Sequence, residues 1–453
     1  MIMSDTIAAI ATGSQISAIG IVRLSGERAI ELADALFRPF SGRAMAESAP
    51  RTLVYGKLLD RAGRTLDICL CTISRAPRSY TGEDTAEFQC HGSPVVLRAV
   101  LDELFALGAR QALPGEFTKR AFLNGMMALS SAEAVADIID AETAESAINA
   151  AGQLAGALDG RAERIYSSLA DISAHYHAVL DYPDEDIEDF RLAAYRRTVS
   201  AARDELAALL ATYERGKLMT SGIPAAIVGR PNAGKSSLLN ALLGYERAIV
   251  TRVPGTTRDT VEEKLMLGRV CLRLIDTAGI RETDDEVERL GVERSRSAME
   301  RAELIIAVVD GSECITPDDA EIIAAAERAK HAVIVLSKKD LSGGAALESP
   351  LRVVNVSSVT GEGIDELERV IGQMFPSPEL PAGEILTNAR HAEAVSRALE
   401  HLDAALGAMD GGATPDIVLT ETEGAMNAIG ELSGRTVRED VTERIFSRFC
   451  VGK

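Results

Sequence analysis

Residues Gly229-Arg-Pro-Asn-Ala-Gly-Lys-Ser236 fit the pattern G-x-x-x-x-G-K-[ST]. An apolar run, Pro224 to Val228, precedes them, and a helical pattern, Ser237 to Leu243, follows. Strand, glycine-rich loop and helix in that order predict a phosphate-binding loop within an α/β layer. The glycines let successive backbone N–H groups turn inward toward phosphate oxygens, and the helix N-terminus adds positive potential. In such a loop Lys235 reaches the β- and γ-phosphates and Ser236 ligates Mg²⁺. Asn232, Ala233, Gly234 and Ser237 complete the cradle. The segment predicts a bound nucleoside triphosphate.

Three later segments select the nucleotide. Leu272 to Gly279 reads as a strand ending in Asp-x-x-Gly. There Asp276 holds the Mg²⁺ shell through water, Gly279 offers its N–H to the γ-phosphate, and Thr277 and Ala278 lie between. Ala332 to Asp340 reads as a buried strand ending in Ser337-Lys338-Lys339-Asp340. A carboxylate at 340 accepts two hydrogen bonds from the guanine edge, and a base without those donors leaves it buried and unpaired. Val353 to Ser358, with Ser357 and Ser358, matches a loop whose N–H groups contact guanine. The prediction is GTP rather than ATP. Position 337 is usually Asn in such GTPases, so the shorter Ser337 predicts weaker nucleotide retention with unchanged base choice.

Within Thr251-Arg252-Val253-Pro254-Gly255-Thr256-Thr257-Arg258-Asp259, Gly255-Thr256-Thr257 reads as a switch-type loop, with Thr257 the candidate second Mg²⁺ ligand. Together with Asn232 it resembles the potassium-activated branch of the translation-factor-like GTPases. That resemblance implies K⁺ held by Asn232, Thr251, Val253 and Thr256. Positive charge there stabilises charge developing in the transition state. Ile280 stands where many GTPases use Gln to orient water, so water is positioned otherwise, and the acidic stretch Glu282 to Glu288 offers candidates.

A length of 453 residues suggests about three domains. No apolar run reaches the ~18 residues of a membrane span, and the first residues carry no basic segment of a secretory signal. Six cysteines (69, 71, 90, 271, 314, 450) contain no Cys-x-x-Cys pair, and Cys69 and Cys71 read as strand core. This fits a reducing cytoplasm, with neither structural disulfides nor a zinc site expected. The net charge of −20 repels nucleic acid at long range. An RNA ligand therefore needs a local basic patch or a partner protein to deliver it, and no RNA-binding module is recognisable.

Residues 1–118 read as α/β, with strands at Ile16–Leu24, Thr52–Leu59, Asp67–Ile73 and Thr85–Cys90 and helices at Glu27–Leu36 and Val95–Leu107. Residues 119–216 read as helical, and Gly152, Gly156 and Gly160 fall on one helix face, either admitting a close neighbour or weakening the helix. The GTPase segment covers 217–377. Helical periodicity resumes over 378–453, which suggests an inserted domain between two halves of one bundle. Cys450 stands fourth from the end, but the terminal Lys453 and the acidic helix before it argue against lipidation.

Further motifs run the length of the chain: Asp5-Thr-Ile7, Ser79-Tyr-Thr-Gly-Glu-Asp84, Gln89-Cys-His-Gly92, Pro114-Gly-Glu-Phe117, Arg120-Ala-Phe-Leu-Asn124, Thr387-Asn-Ala-Arg-His391 and the terminal Phe-Cys-Val-Gly-Lys. With the GTPase motifs they resemble the MnmE (TrmE) family of tRNA-modification GTPases. The resemblance implies a multidomain α/β and α chain. It comprises an N-terminal α+β folate-binding domain that dimerises, a helical bundle and an inserted P-loop α/β GTPase domain. It implies a cytoplasmic homodimer, not membrane-bound, that forms a heterotetramer with an FAD-carrying flavoprotein, MnmG (GidA). The pair would act on tRNA, adding an aminomethyl-type group at carbon five of the wobble uridine. A formyl- or methylene-tetrahydrofolate supplies the one-carbon unit. GTP hydrolysis, with Mg²⁺ and K⁺, is coupled to apposition of two GTPase domains.

Residue by residue, the resemblance implies folate contacts at Arg23, Glu87 and Lys453. Arg23 would bind the glutamate carboxylate of the folate and Glu87 the N–H edge of its pterin. A further family contact, usually Lys, falls on Met126. Glu288 matches the acid that orients water. Cys450 matches a near-terminal thiol that would either attack carbon six of uracil or pack at the dimer interface. The alternative is a regulatory GTPase switch in RNA or ribosome assembly that does no covalent chemistry. The GTPase segment fits both, but such a switch usually carries a basic RNA-binding domain after it.

Overall fold

In strand β2 (Ser17–Ser25), Val22 and Leu24 are buried while Arg23 between them faces the other way, the period-two alternation that gives a sheet a wet and a dry side. The computed structural model describes residues 5–13, 15–181, 192–244, 250–251, 263–275, 297–341, 347–376, 381–435, 439–447 and 449–452. The chain divides into two compact units, one of residues 1–136, 152–204 and 397–453 and the other of residues 137–151 and 205–396.

The first unit contains a seven-stranded sheet. Besides β2 it comprises β1 (Ile7–Ile10), β3 (Phe37–Pro39), β4 (Val54–Leu59), β5 (Thr65–Ser74), β6 (Thr85–Gly92) and β7 (Arg110–Gln111), in the order β3-β4-β5-β6-β2-β1-β7. Helices α1 (Ala29–Leu36) and α2 (Pro94–Ala106) cover its dry side through residues such as Leu32, Leu36, Leu97 and Leu101, against Leu24 and Phe88. Phe88 is fully buried, which contributes about 1.5–3 kcal/mol of transfer free energy. Helix α3 (Glu116–Leu123) follows.

The helical segments are α4 (Leu129–Ile139), α5 (Ala144–Leu154), α6 (Ala157–Asp181), α7 (Leu192–Leu210) and α8 (Tyr213–Ser221). Within the first unit α6 packs along the later helix Pro415–Ser433. Buried Tyr195 donates to Thr422 Oγ1 across 2.9 Å. The glycine spacing does not make one helix face. Gly156 has φ +88°, a left-handed turn that ends α5 and starts α6. A Cβ built on Gly156 meets nothing within 4 Å, so no neighbour approaches there.

The second unit holds the other seven-stranded sheet: β8 (Ile223–Val228), β9 (Val250–Thr251), β10 (Glu263–Leu267), β11 (Val270–Leu274), β12 (Leu304–Asp310), β13 (His331–Ser337) and β14 (Arg352–Asn355). Its order is β14-β13-β12-β8-β11-β10-β9. Strands β8, β11, β12, β13 and β14 run parallel. Their near-continuous apolar sequences are those of strands buried on both faces. Helix α9 (Lys235–Gly244) leaves the end of β8, and α10 (Pro317–Ala326) begins with a capping box between Thr316 and Asp319. Helix α11 (Ile364–Met374) closes one face, with Leu367 and Ile371 buried. Among the described residues, no helix is long and apolar enough to cross a membrane.

Candidate functional site

The loop between β8 and α9 is shaped by crowding. A Cβ on Gly229 would lie 2.3 Å from Val308 O, so only glycine fits where the loop leaves the sheet. Asn232 and Gly234 take left-handed conformations, with φ of 63° and 94°. Alternating handedness of this kind turns successive N–H groups to one side, the geometry of an anion nest, and α9 adds its N-terminus. Lys235 Nζ donates to Gly229 O at 2.8 Å and Arg230 O at 2.9 Å, which holds the amine over the loop. Burial pulls its pKa below the ordinary lysine value.

The base-reading segment sits at the ends of β13 and β14. Ser337 is buried, and its Oγ lies 2.6 Å from Ala233 O and 3.1 Å from Val309 O. Despite its shorter side chain, serine ties the base loop to the phosphate loop. Asp340 is exposed, and its Oδ1 accepts a hydrogen bond from Ser357 Oγ at 2.6 Å. The structure thus brings Asn232, Ala233, Gly234, Lys235, Ser236 and Ser237 to one side of the tie and Lys338, Asp340, Ser357 and Ser358 to the other. Thr251 lies in β9. The predicted sites at 252–257, 276–279, Glu288 and Lys453 lie outside the described residues.

Sequence reading missed an ionic bracket around this tie. Lys338, itself left-handed at φ 60°, places Nζ 2.5 Å from Asp310 Oδ2. Arg230, the second residue of the phosphate loop, reaches Glu313 at 2.5 Å and Asp319 at 3.3 Å. Burial opposes ionisation of Asp310, but hydrogen bonds from Lys338 and Ser312 outweigh it and lower its pKa. The bracket depends on β12 and β13 lying in parallel register, with Asp310 opposite Ser337.

On the wet side of the first sheet, Arg23 and Glu87 face each other across β2 and β6, with Arg23 Nε 2.6 Å from Glu87 Oε1. The rings of Tyr80 and Phe117 lie 5.6 and 5.7 Å from the guanidinium carbon. The two candidate residues thus stand in direct contact with each other. Tyr80 is held by a 2.9 Å hydrogen bond between its hydroxyl and Thr118 Oγ1. Met126 lies against Gly82, at the edge of the same loop.

A buried ionic cluster anchors that loop. Arg120, 2% exposed, binds Asp5 Oδ1 at 2.7 Å, Glu83 Oε2 at 3.1 Å and Glu116 Oε1 at 3.1 Å. Arg110 joins through Glu116 at 2.6 Å. The segment bearing Cys450 docks on the same unit: Gly115 N–H donates to Cys450 O at 3.3 Å, and Pro114 bridges Val451. The approach is tight, since a Cβ on Gly452 would lie 2.3 Å from Ile10 O in β1. The Cys450 side chain is exposed.

Comparison with known proteins gives a consistent result. Residues 6–126 match the family described as the GTP-binding protein TrmE N-terminus, and residues 129–450 match the MnmE helical domain. A tRNA modification GTPase MnmE of Roseiflexus sp. (strain RS-1) is 43% identical over 472 residues, covering 100% of both chains. One of the same name from Geobacillus kaustophilus (strain HTA426) is 41% identical over 459 residues, covering 99% of each. With a phosphate loop tied to a base loop, and full-length kinship of this degree, the chain belongs to the MnmE family of tRNA modification GTPases.

Proposed function

We propose that this GTPase works with an FAD-containing partner protein to add an aminomethyl or carboxymethylaminomethyl group at carbon five of the wobble uridine of certain tRNAs. The observation that carries this reading is the Arg23–Glu87 pair beneath Tyr80 and Phe117. An acceptor carboxylate beside two ring faces suits a flat pterin with N–H groups on its edge. A tetrahydrofolate derivative, when bound, supplies the one-carbon unit. Glu87 accepts from the pterin edge through Oε2. Arg23 orients Glu87 through their 2.6 Å contact, and Lys453 would be a further folate contact. Cys450, presented on that tail, acts either as a nucleophile toward the uracil ring or as a packing residue.

In the GTPase unit Lys235 neutralises the β- and γ-phosphates and Asp340 reads guanine. Ser236 and Thr257 would hold Mg²⁺. Asn232 with Thr251, Val253 and Thr256 would hold K⁺, and Glu288 would orient the attacking water. Two copies of the chain pairing with two of the partner complete the assembly.

The test is nucleoside mass spectrometry of tRNA from cells lacking the chain, with and without its restoration. Loss and recovery of the aminomethyl-type wobble uridine is expected. An unchanged nucleoside profile would replace this reading with that of a regulatory switch.

A further inference from the structure

The dry end of the β5–β6 pair gathers three ligand atoms of a kind suited to a metal. A carboxylate oxygen of Asp67 and the sulfurs of Cys69 and Cys90 all lie within 4.8 Å of one another. Strand register produces this. Asp67 and Cys69 are two apart on β5 and share a face, and Leu70 pairs with Gln89, so one antiparallel step places Cys69 opposite Cys90. For three atoms no further apart than 4.8 Å, some point lies within about 2.8 Å of all of them. Zinc bonds to sulfur at about 2.3 Å and to carboxylate oxygen at about 2.0–2.2 Å, so small side-chain movements close the gap.

The carboxylate is already oriented for the task. Asp67 Oδ2 accepts from the His91 N–H at 2.8 Å, and its Oδ1 lies 2.8 Å from His91 Nδ1. Carboxylates that ligate metals are themselves held by hydrogen bonds, as Asp67 is here. Cys69 and Cys90 are 5% and 2% exposed, whereas the His91 ring is 76% exposed. The cluster therefore has a dry thiol side and one side that opens toward water.

We propose that Asp67, Cys69 and Cys90 bind one thiophilic divalent cation of the zinc class, with water in the fourth position. A donor set of two sulfurs and one oxygen favours such an ion over Mg²⁺, which prefers six oxygens. Binding is not a redox step: each thiol releases its proton to solvent and its sulfur lone pair bonds to the cation.

The competing account is that the two cysteines are small core hydrophobes and Asp67 a strand-end hydrogen-bond acceptor. Titration of the full-length, reduced, metal-stripped chain with Co²⁺ in excess Mg²⁺ distinguishes them. Expected are a thiolate-to-cobalt charge-transfer band saturating at one equivalent, its displacement by Zn²⁺, and release of a proton from each thiol. Asp67→Asn, with both thiols intact, should weaken Co²⁺ roughly tenfold or more. Cys69→Ala and Cys90→Ala should abolish the band while GTP turnover persists. No band at millimolar Co²⁺ overturns the proposal. So does a band that survives Cys69→Ala but vanishes in Cys314→Ser or Cys450→Ser.

Discussion

Ser337 and Ala233 join the two halves of the nucleotide site: the Ser337 hydroxyl lies 2.6 Å from the Ala233 carbonyl, in a buried position. Ser337→Ala leaves that carbonyl without its partner, at a cost of about 1–3 kcal/mol. GTP and GDP affinity should fall together, roughly five- to hundredfold, in fluorescent-nucleotide titrations. Because the base edge is read elsewhere, the preference for guanine over adenine should stay unchanged.

Asp340 is the proposed carrier of that preference. Asp340→Asn keeps an oxygen able to accept from Ser357 Oγ, so the loop should hold its shape. The amide presents a donor where the carboxylate accepted, which matches xanthine rather than guanine. Competition binding should show a reversal toward xanthosine nucleotides. An unchanged GTP preference would remove Asp340 from base recognition.

Replacing K⁺ by Na⁺ should slow GTP turnover well beyond a general salt effect if Asn232 is a cation ligand. Asn232 has φ 63°, so alanine there adds backbone strain of about 1–2 kcal/mol. Asn232→Gly is the cleaner variant: it removes the amide oxygen without that strain. It should lose the K⁺ dependence of kcat while binding GTP nearly as before. Equal rates in K⁺ and Na⁺ for the unaltered chain would refute the cation site.

Arg120 makes the first unit sensitive to acid. Burial opposes ionisation of both Asp5 and Glu116. For Asp5, hydrogen bonds from Arg110 and Arg120 outweigh burial and lower the pKa below the ordinary 3.8. For Glu116, hydrogen bonds from Arg110, Leu113 and Arg120 do the same relative to 4.5. Such groups add stability above their unfolded pKa, and it is lost as pH falls through the lowered folded values. Chemical denaturation should show this loss below about pH 4.5. Arg120→Met should cost about 3–5 kcal/mol at neutral pH and flatten the acid limb.

Local rules made much of the site legible. Gly229 is dictated by a carbonyl 2.3 Å from its missing Cβ, and the left-handed Asn232 and Gly234 favour the residue types found there. Partners set by strand register were not legible. Asp310 meets Lys338 because β12 and β13 lie side by side, and Cys69 meets Cys90 because β5 and β6 do. A search for Cys-x-x-Cys cannot find ligands on two strands. Arg23 and Glu87 were each visible as candidates, yet their contact was not. Gly156 was misread because four-residue spacing is silent about a left-handed break.

The tail at Cys450 to Gly452 rests on Gly115 and Ile10, and Tyr195 bonds to Thr422, so the first unit is stitched from segments made early and late in synthesis. A ribosome must finish the whole second unit before these stitches can be tied. During that interval the N-terminal sheet already has all of its strands, but the C-terminal tail that docks beside it and the late helix that packs on Tyr195 are still missing. Folding of this chain is thus ordered by translation itself, with the part begun first completed last.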